Sequence, residues 1–296
     1  MFELIQTGEH TYYFDLPSKI GVYTPDHKNV YLIDSGPHKD NAKKVLRILK
    51  EKGWTVQGIL NTHAHADHIG GNRYLQEQTG CAVFASDKEL DLTRHTYLEP
   101  TTLYAGNPHK DLRHKFLLAQ ESDAVGFDDS RFPKEIEVIS LPGHSPDMVA
   151  FRTPDNTVFL ADLLCSETTL TKYGITFQFD IARHLQSLEE AKHLTADVFV
   201  SSHAETTDDI LPMLDMNMQE VHKAADFLLQ QCNRKQTFDS LLQAVFVQYN
   251  LTMNHAQHAL VGSTVRSYLS YLYDNDKIQI LFEDNILYYQ SDEKEL

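Results

Sequence analysis

Over the first 35 residues, short apolar runs alternate with turn formers, which predicts strands at 2–5, 12–15, 20–24 and 30–34 separated by pairs such as Pro25-Asp26. The spacing then changes. Ala42, Val45, Leu46, Ile48 and Leu49 fall at helical intervals, so 39–52 reads as a helix that stops at Gly53. A strand over 56–61 runs into Thr62-His63-Ala64-His65-Ala66-Asp67-His68-Ile69-Gly70-Gly71, and 73–78 resembles a helix, which sets the histidines on a strand-to-helix turn. Another strand is expected at 82–85. From 88 to 132 the chain is polar, histidine-rich and poorly periodic, consistent with an inserted helical cap or mobile loops.

Strands resume over 136–141, 149–153 and 158–161, with Pro154-Asp155-Asn156 turning between the last two. A helix over 185–194 leads to a strand at 198–201. This order suits two sheets packed face to face with helices outside. Beyond His203 the pattern is helical over 214–231, 238–249 and 256–273, then closes with strands 278–282 and 286–289 joined by Glu283-Asp284-Asn285. Three helices and a hairpin describe a winged-helix-like shape. The boundary is expected near Asp215, giving a domain of 1–214 with an insertion at about 88–132, and a C-terminal domain of 215–296. Tyr268, Tyr271 and Tyr273 read as core and interface positions rather than a base-stacking platform.

Composition excludes several classes. Across 296 residues, 42% hydrophobic and 23% charged positions fit a compact globular protein. Lys and Arg number 26 against 42 Asp and Glu, a net charge of −16 that repels polyanions. The tail after residue 215 is acidic too, so a basic recognition helix is not expected, although Arg234, Lys235, Arg266 and Lys277 could form a local patch. Cys81, Cys165 and Cys232 are odd in number and far apart, which argues against a disulfide framework. Residues 1–11 lack the basic-then-apolar pattern of a signal peptide, and no apolar run reaches transmembrane length. A soluble cytoplasmic protein without membrane association is the expectation.

The candidate chemistry lies in the histidines. His63 and His65 stand two apart on an extended segment, so their side chains emerge on one side and can grip one ion. Asp67 and His68 offer a second pair from the turn. Imidazole and carboxylate together suit zinc or iron better than calcium or magnesium, and two adjacent ions are implied. His144, Asp162 and His203 each follow a predicted strand end, and strand ends converge on one rim. Buried histidine and aspartate without compensation are costly, which weighs against seven purely structural groups. His95, His109 and His114, in the insertion, are expected at the surface.

The string H-x-H-x-D-H with later His, Asp and His strongly resembles the metallo-beta-lactamase-fold superfamily over roughly residues 1 to 210. That resemblance implies a four-layer αββα sandwich of the α+β class, extended here by the winged-helix-like tail. It further implies that His63, His65 and His144 hold one metal, that Asp67, His68 and His203 hold the other, and that Asp162 bridges them. Two zinc ions per chain are expected, with iron or manganese as the alternatives. Asp34, in Leu32-Ile33-Asp34-Ser35-Gly36, matches the superfamily's supporting aspartate. Water shared by the two cations would be the nucleophile, and Asp67 would orient it or pass a proton to the leaving group.

Histidine at position 65, where flavodiiron oxygen reductases carry glutamate, favours hydrolysis. Pro142-Gly143-His144-Ser145-Pro146 looks like the P-G-H-T-P-G segment of glyoxalase II, with Ser145 and Asp147 as departures. The expected function is hydrolysis of a small ester, thioester or lactone. The alternatives are a beta-lactamase-like endoribonuclease or phosphodiesterase, whose winged-helix tail this one resembles, and a noncatalytic metal-binding regulatory module. Lys172-Tyr173-Gly174 is expected to form a pocket-lining loop with Tyr173 as a substrate contact, and Cys165 to be a small buried residue rather than a nucleophile. A small-molecule substrate and a homodimer are the expected partners.

Overall fold

A computed structural model describes residues 2–291; Met1 and the last five residues of the tail, which the expected domains included, lie outside the described residues. Seven strands form the first sheet in sequence order: β1 (Glu3–Gln6), β2 (Thr11–Asp15), β3 (Ile20–Tyr23), β4 (Asn29–Ile33), β5 (Thr55–Leu60), β6 (Ala82–Phe84) and β7 (Ala124–Val125). The first four make an antiparallel meander and the last three add in parallel. Parallel addition needs crossovers on one face, supplied by α1 (Lys39–Glu51) and α3 (Asn72–Thr79). The second sheet runs β11 (Val198–His203), β10 (Thr157–Cys165), β9 (Val149–Arg152), β8 (Glu137–Ser140), with only the β10–β11 pair parallel.

Three apolar clusters show how the layers stack. Phe14, Val22, Leu32 and Ile59 pack with Val45, Leu49 and Leu75 on the outer face of the first sheet. Tyr23, Ile33, Leu60 and Phe84 meet Val149, Phe151, Phe159 and Val200 between the sheets. Ala150, Val158 and Leu160 pack with Leu188 of α7 (Ile181–Ala191) and Leu214 of α8 (Leu211–Gln231) on the outer face of the second sheet. The result is the four-layer αββα sandwich.

The segment after β6 is more ordered than its polarity suggests. It folds as α4 (Asp87–Arg94), α5 (Leu98–Tyr104) and a 3-10 turn (Lys110–Leu112) before β7 rejoins the first sheet, so it is tied to the fold at both ends. The stretch expected as a pocket loop contains a short helix, α6 (Glu167–Tyr173), because the Ser166 hydroxyl accepts the Thr169 N–H and caps it. Helix α7 starts four residues earlier than the periodicity indicates, since Asp180 caps it through the Arg183 N–H.

After β11 come α8, α9 (Phe238–Gln248), α10 (His255–Asp274) and a hairpin of β12 (Ile278–Glu283) and β13 (Ile286–Ser291), turned through the left-handed residues Asp284 and Asn285. The boundary expected near Asp215 falls inside the continuous α8. Leu214 belongs to the core of the second sheet, while Val221, Ala224 and Leu228 belong to a separate cluster with Leu242, Val265 and Tyr268. Tyr268 is buried there and Tyr273 is exposed. Asn217 fastens this helix to the end of β10 by accepting the Cys165 N–H at 2.9 Å and donating to the Cys165 carbonyl at 3.0 Å. Among the described residues no helix is long and apolar enough to cross a membrane.

Candidate metal centre

The segment His63 to His68 leaves β5 and turns into the one-turn helix α2 (Ala66–Ile69). Gly70 permits that turn to sit against the loop after β4, because a Cβ there would lie 2.4 Å from the Pro37 carbonyl oxygen. His144 comes from the β8–β9 connection. Gly143 before it adopts φ +133 and packs directly on the backbone of His184 in α7, where a Cβ would lie 2.3 Å from the amide nitrogen.

Asp162 and His203 lie within strands rather than past their ends. His203 is the last residue of β11. Asp162 sits in β10, where the register with β11 shifts on both sides of Ala161, whose φ is 53. A left-handed alanine inside a strand is strained, and the distortion turns the following aspartate toward the rim.

These elements bring all seven predicted residues together in two adjoining groups, His63, His65 and His144 in one and Asp67, His68, Asp162 and His203 in the other. His65 Nδ1 and His144 Nε2 are 3.0 Å apart. Asp162 stands between the groups. Its Oδ2 is 3.4 Å from His144 Nε2 and 3.1 Å from His203 Nε2, and its Oδ1 is 3.0 Å from His68 Nε2. Asp67 Oδ2 lies 3.2 Å from His203 Nε2 and accepts the Ser18 hydroxyl at 2.7 Å.

The outward nitrogens are anchored. His68 Nδ1 donates to Asp34 Oδ2 at 2.8 Å, His144 Nδ1 to the Phe177 carbonyl at 3.1 Å and His203 Nδ1 to the Pro17 carbonyl at 2.7 Å. His63 Nδ1 faces the Thr62 hydroxyl at 3.0 Å, which donates to Asp34 Oδ2 at 2.7 Å. Asp34 is itself left-handed, with φ 62, and also accepts the Thr62 N–H at 2.8 Å. Such anchors fix each ring with its remaining nitrogen turned toward the centre. The buried His63 Nε2 has no hydrogen-bond partner, and the buried His68 Nε2 and Asp162 Oδ1 have none but each other. Orphaned buried polar atoms of imidazole and carboxylate type fit cations of the zinc or iron class.

The electrostatics are those of packed donors. Burial pushes His65 down to about 4 and His144 to about 3. Burial also acts against the charged form of His203, yet Asp162 and Asp67 outweigh it and raise that imidazole to about 10. Burial and the charge of Asp162 push the Cys165 thiol up to about 12, so it is no nucleophile.

Two glutamates that the sequence reading missed hold the histidine segment from the insertion. Glu89 of α4, fully buried, accepts the Ala64 N–H at 2.9 Å through Oε2, and through Oε1 the Ser145 hydroxyl at 2.7 Å and the Asp147 N–H at 2.9 Å. It thereby ties the segment of His63 and His65 to the loop of His144. Glu99 of α5 is buried beside it and takes the Ala66 N–H.

A cavity of about 840 Å³ opens beside His203, lined among others by Lys19, Ser166, Lys172, Tyr173 and Glu205. The expected contact Tyr173 is therefore on its wall.

Residues 14–203 match the model of the metallo-beta-lactamase superfamily. Over 128 residues the chain is 30% identical to a Dictyostelium discoideum protein named glyoxylase B2, covering 42% of this chain and 41% of that one. It is 28% identical over 160 residues to a hydroxyacylglutathione hydrolase of Rhodospirillum rubrum, covering 54% and 52%. The chain thus spans about half the length of the curated relatives it matches. A beta-lactamase domain protein from Burkholderia ambifaria shares the fold with a TM-score of 0.74 at 14% identity, over 98% of this chain and 95% of that one, tail included.

Proposed function

The chain belongs to the metallo-beta-lactamase superfamily, and from that premise we propose that it is a dinuclear metal-dependent hydrolase of a small thioester or related ester. The observation that carries this reading is the position of Asp162, one oxygen within 3.4 Å of His144 and both within reach of the second donor group. His63, His65 and His144 would hold one cation, and Asp67, His68 and His203 the other, with Asp162 shared. Zinc is the ion this donor set suits best. When bound, the pair supplies Lewis acidity that polarises the acyl carbonyl and makes water a nucleophile near neutral pH.

The remaining tasks fall to the chain. Asp67 is the more open of the two carboxylates, 35% exposed against 8% for Asp162. Burial works to raise its pKa, but His68 and His203 hold the carboxyl well below its usual range, so it stays ionised. An ionised carboxylate at that opening would accept the proton that the attacking water gives up and pass it on to the departing thiolate or alkoxide. Lys19 and Lys172 on the cavity wall suit an acyl group or thiol carrying a carboxylate, and Tyr173 offers a flat contact beside them. The hydroxyacylglutathione hydrolase relatives support a thioester over a lactone.

The test assays one purified preparation against a thioester, a lactone, a phosphodiester and single-stranded RNA, with metal content measured alongside. Thioester cleavage that disappears in His144→Ala and Asp162→Ala, together with lowered metal content and an unchanged far-ultraviolet dichroism spectrum, is the expected outcome. Wild-type turnover in both variants would overturn the site, and RNA cleavage without thioester cleavage would overturn the substrate class.

A further inference from the structure

The insertion and the last long helix meet at a second cluster of metal-type donors that shares no residue with the first. His109 caps the 3-10 turn, Asp111 lies within it, and His255 opens α10. One oxygen, Asp111 Oδ2, stands 3.7 Å from His109 Nδ1 and 3.8 Å from His255 Nε2. Donor atoms of the three residues all lie within 4.8 Å of one another, and the two imidazoles pack edge to face with centroids 4.9 Å apart.

We propose that His109, Asp111 and His255 bind one divalent d-block cation of the zinc class, which staples the insertion to the C-terminal helices. Two imidazoles and one carboxylate select such an ion over calcium or magnesium, and water would complete the shell. Donors around a tetrahedral zinc ion stand roughly 3.4 Å apart, given bond lengths of about 2.0–2.2 Å. The two separations from Asp111 Oδ2 exceed that by a few tenths of an ångström, and the distance between the imidazole donors, within 4.8 Å, closes by side-chain rotation. That rotation is free, because the three side chains are between 37% and 66% exposed. The Asp111 N–H donates to His109 Nδ1 at 3.3 Å, a long bond that keeps the lone pair of this nitrogen toward Asp111 and that the cation would replace.

Position gives the staple its consequence. Beneath it, Leu103, Leu112 and Leu117 of the insertion pack against Ala259 of α10 and against Phe177. The Phe177 ring in turn lies edge-on to His65 and His144, with centroids 5.3 and 5.6 Å away. Joining the two segments at their outer edge restrains this wall of the central site. Glu9, His10 and His27 also gather at the surface, but all three lie in one meander with no segments to join.

The experiment equilibrates the full-length protein at fixed micromolar free zinc and counts zinc per chain by elemental analysis. It compares the wild type, Asp111→Asn, His255→Ala and His258→Ala, the last an exposed histidine of the same helix outside the cluster. Asp111→Asn and His255→Ala should each bind one zinc fewer than the wild type and gain less melting temperature from zinc, while His258→Ala matches the wild type. Undiminished stoichiometry in Asp111→Asn and His255→Ala, or an equal loss in His258→Ala, would overturn the proposal. Neither readout uses hydrolysis, so the result stands apart from the activity of the central site.

Discussion

Asp34 Oδ2 accepts a hydrogen bond from His68 Nδ1 at 2.8 Å, with both side chains shut away from water. Through the Thr62 hydroxyl the same carboxylate also reaches His63. One residue in a left-handed conformation thus sets the tautomer of two imidazoles, one in each donor group.

Replacing Asp34 by alanine should weaken metal binding by about 10–100-fold, the usual cost of losing the partner behind a ligand. Asp34→Asn keeps the shape but not the charge and should fall between. Competition against a chelator of known affinity measures both. Wild-type affinity in Asp34→Ala would show that the rings hold their orientation without it.

Glu89 makes a different prediction, because its effect should survive without metal. Glu89→Ala leaves the buried Ala64 N–H and Ser145 hydroxyl and the half-buried Asp147 N–H without their acceptor. Each unpaired donor costs about 1–3 kcal/mol. The metal-free variant should therefore unfold at distinctly lower denaturant concentration, and Glu89→Gln, which retains one acceptor oxygen, at an intermediate one. An unchanged midpoint in Glu89→Ala would mean the two loops are not held through this carboxylate.

Why the sequence displayed His63 to His68 and concealed Glu89 follows from what each residue faces. The histidine string is a local pattern of rare residues, and β5 before it is a short strand that buries Val56, Ile59 and Leu60. The inward positions of α4 are instead Glu89 and Thr93, so a search for apolar periodicity finds nothing to mark the helix or its buried face. Asp162 was visible as a residue, but β10 continues beyond it to Cys165 through the left-handed Ala161, a distortion that no local preference of alanine announces. In α8, where the boundary is expected near Asp215, one helix serves two cores, Leu214 in one and Val221 in the other.

His184 yields the pH dependence with a definite sign. It is 1% exposed in α7, its Nδ1 has no partner, and burial lowers its pKa from 6.5 to about 4. Above pH 6.5 the imidazole is neutral both folded and unfolded and contributes no slope. As the pH falls below 6.5 the unfolded chain takes up a proton that the folded chain refuses until about pH 4, so stability declines across that window. At about 1.4 kcal/mol per pKa unit, the full loss approaches about 3 kcal/mol. His184→Gln removes this proton uptake while leaving that of the other histidines in place. Metal-free His184→Gln should therefore lose less stability than the metal-free wild type between pH 7 and pH 4.5, as read from denaturant midpoints at the two values. Equal losses would mean that His184 is protonated in the folded protein, in which case a solvent path must reach it behind Gly143.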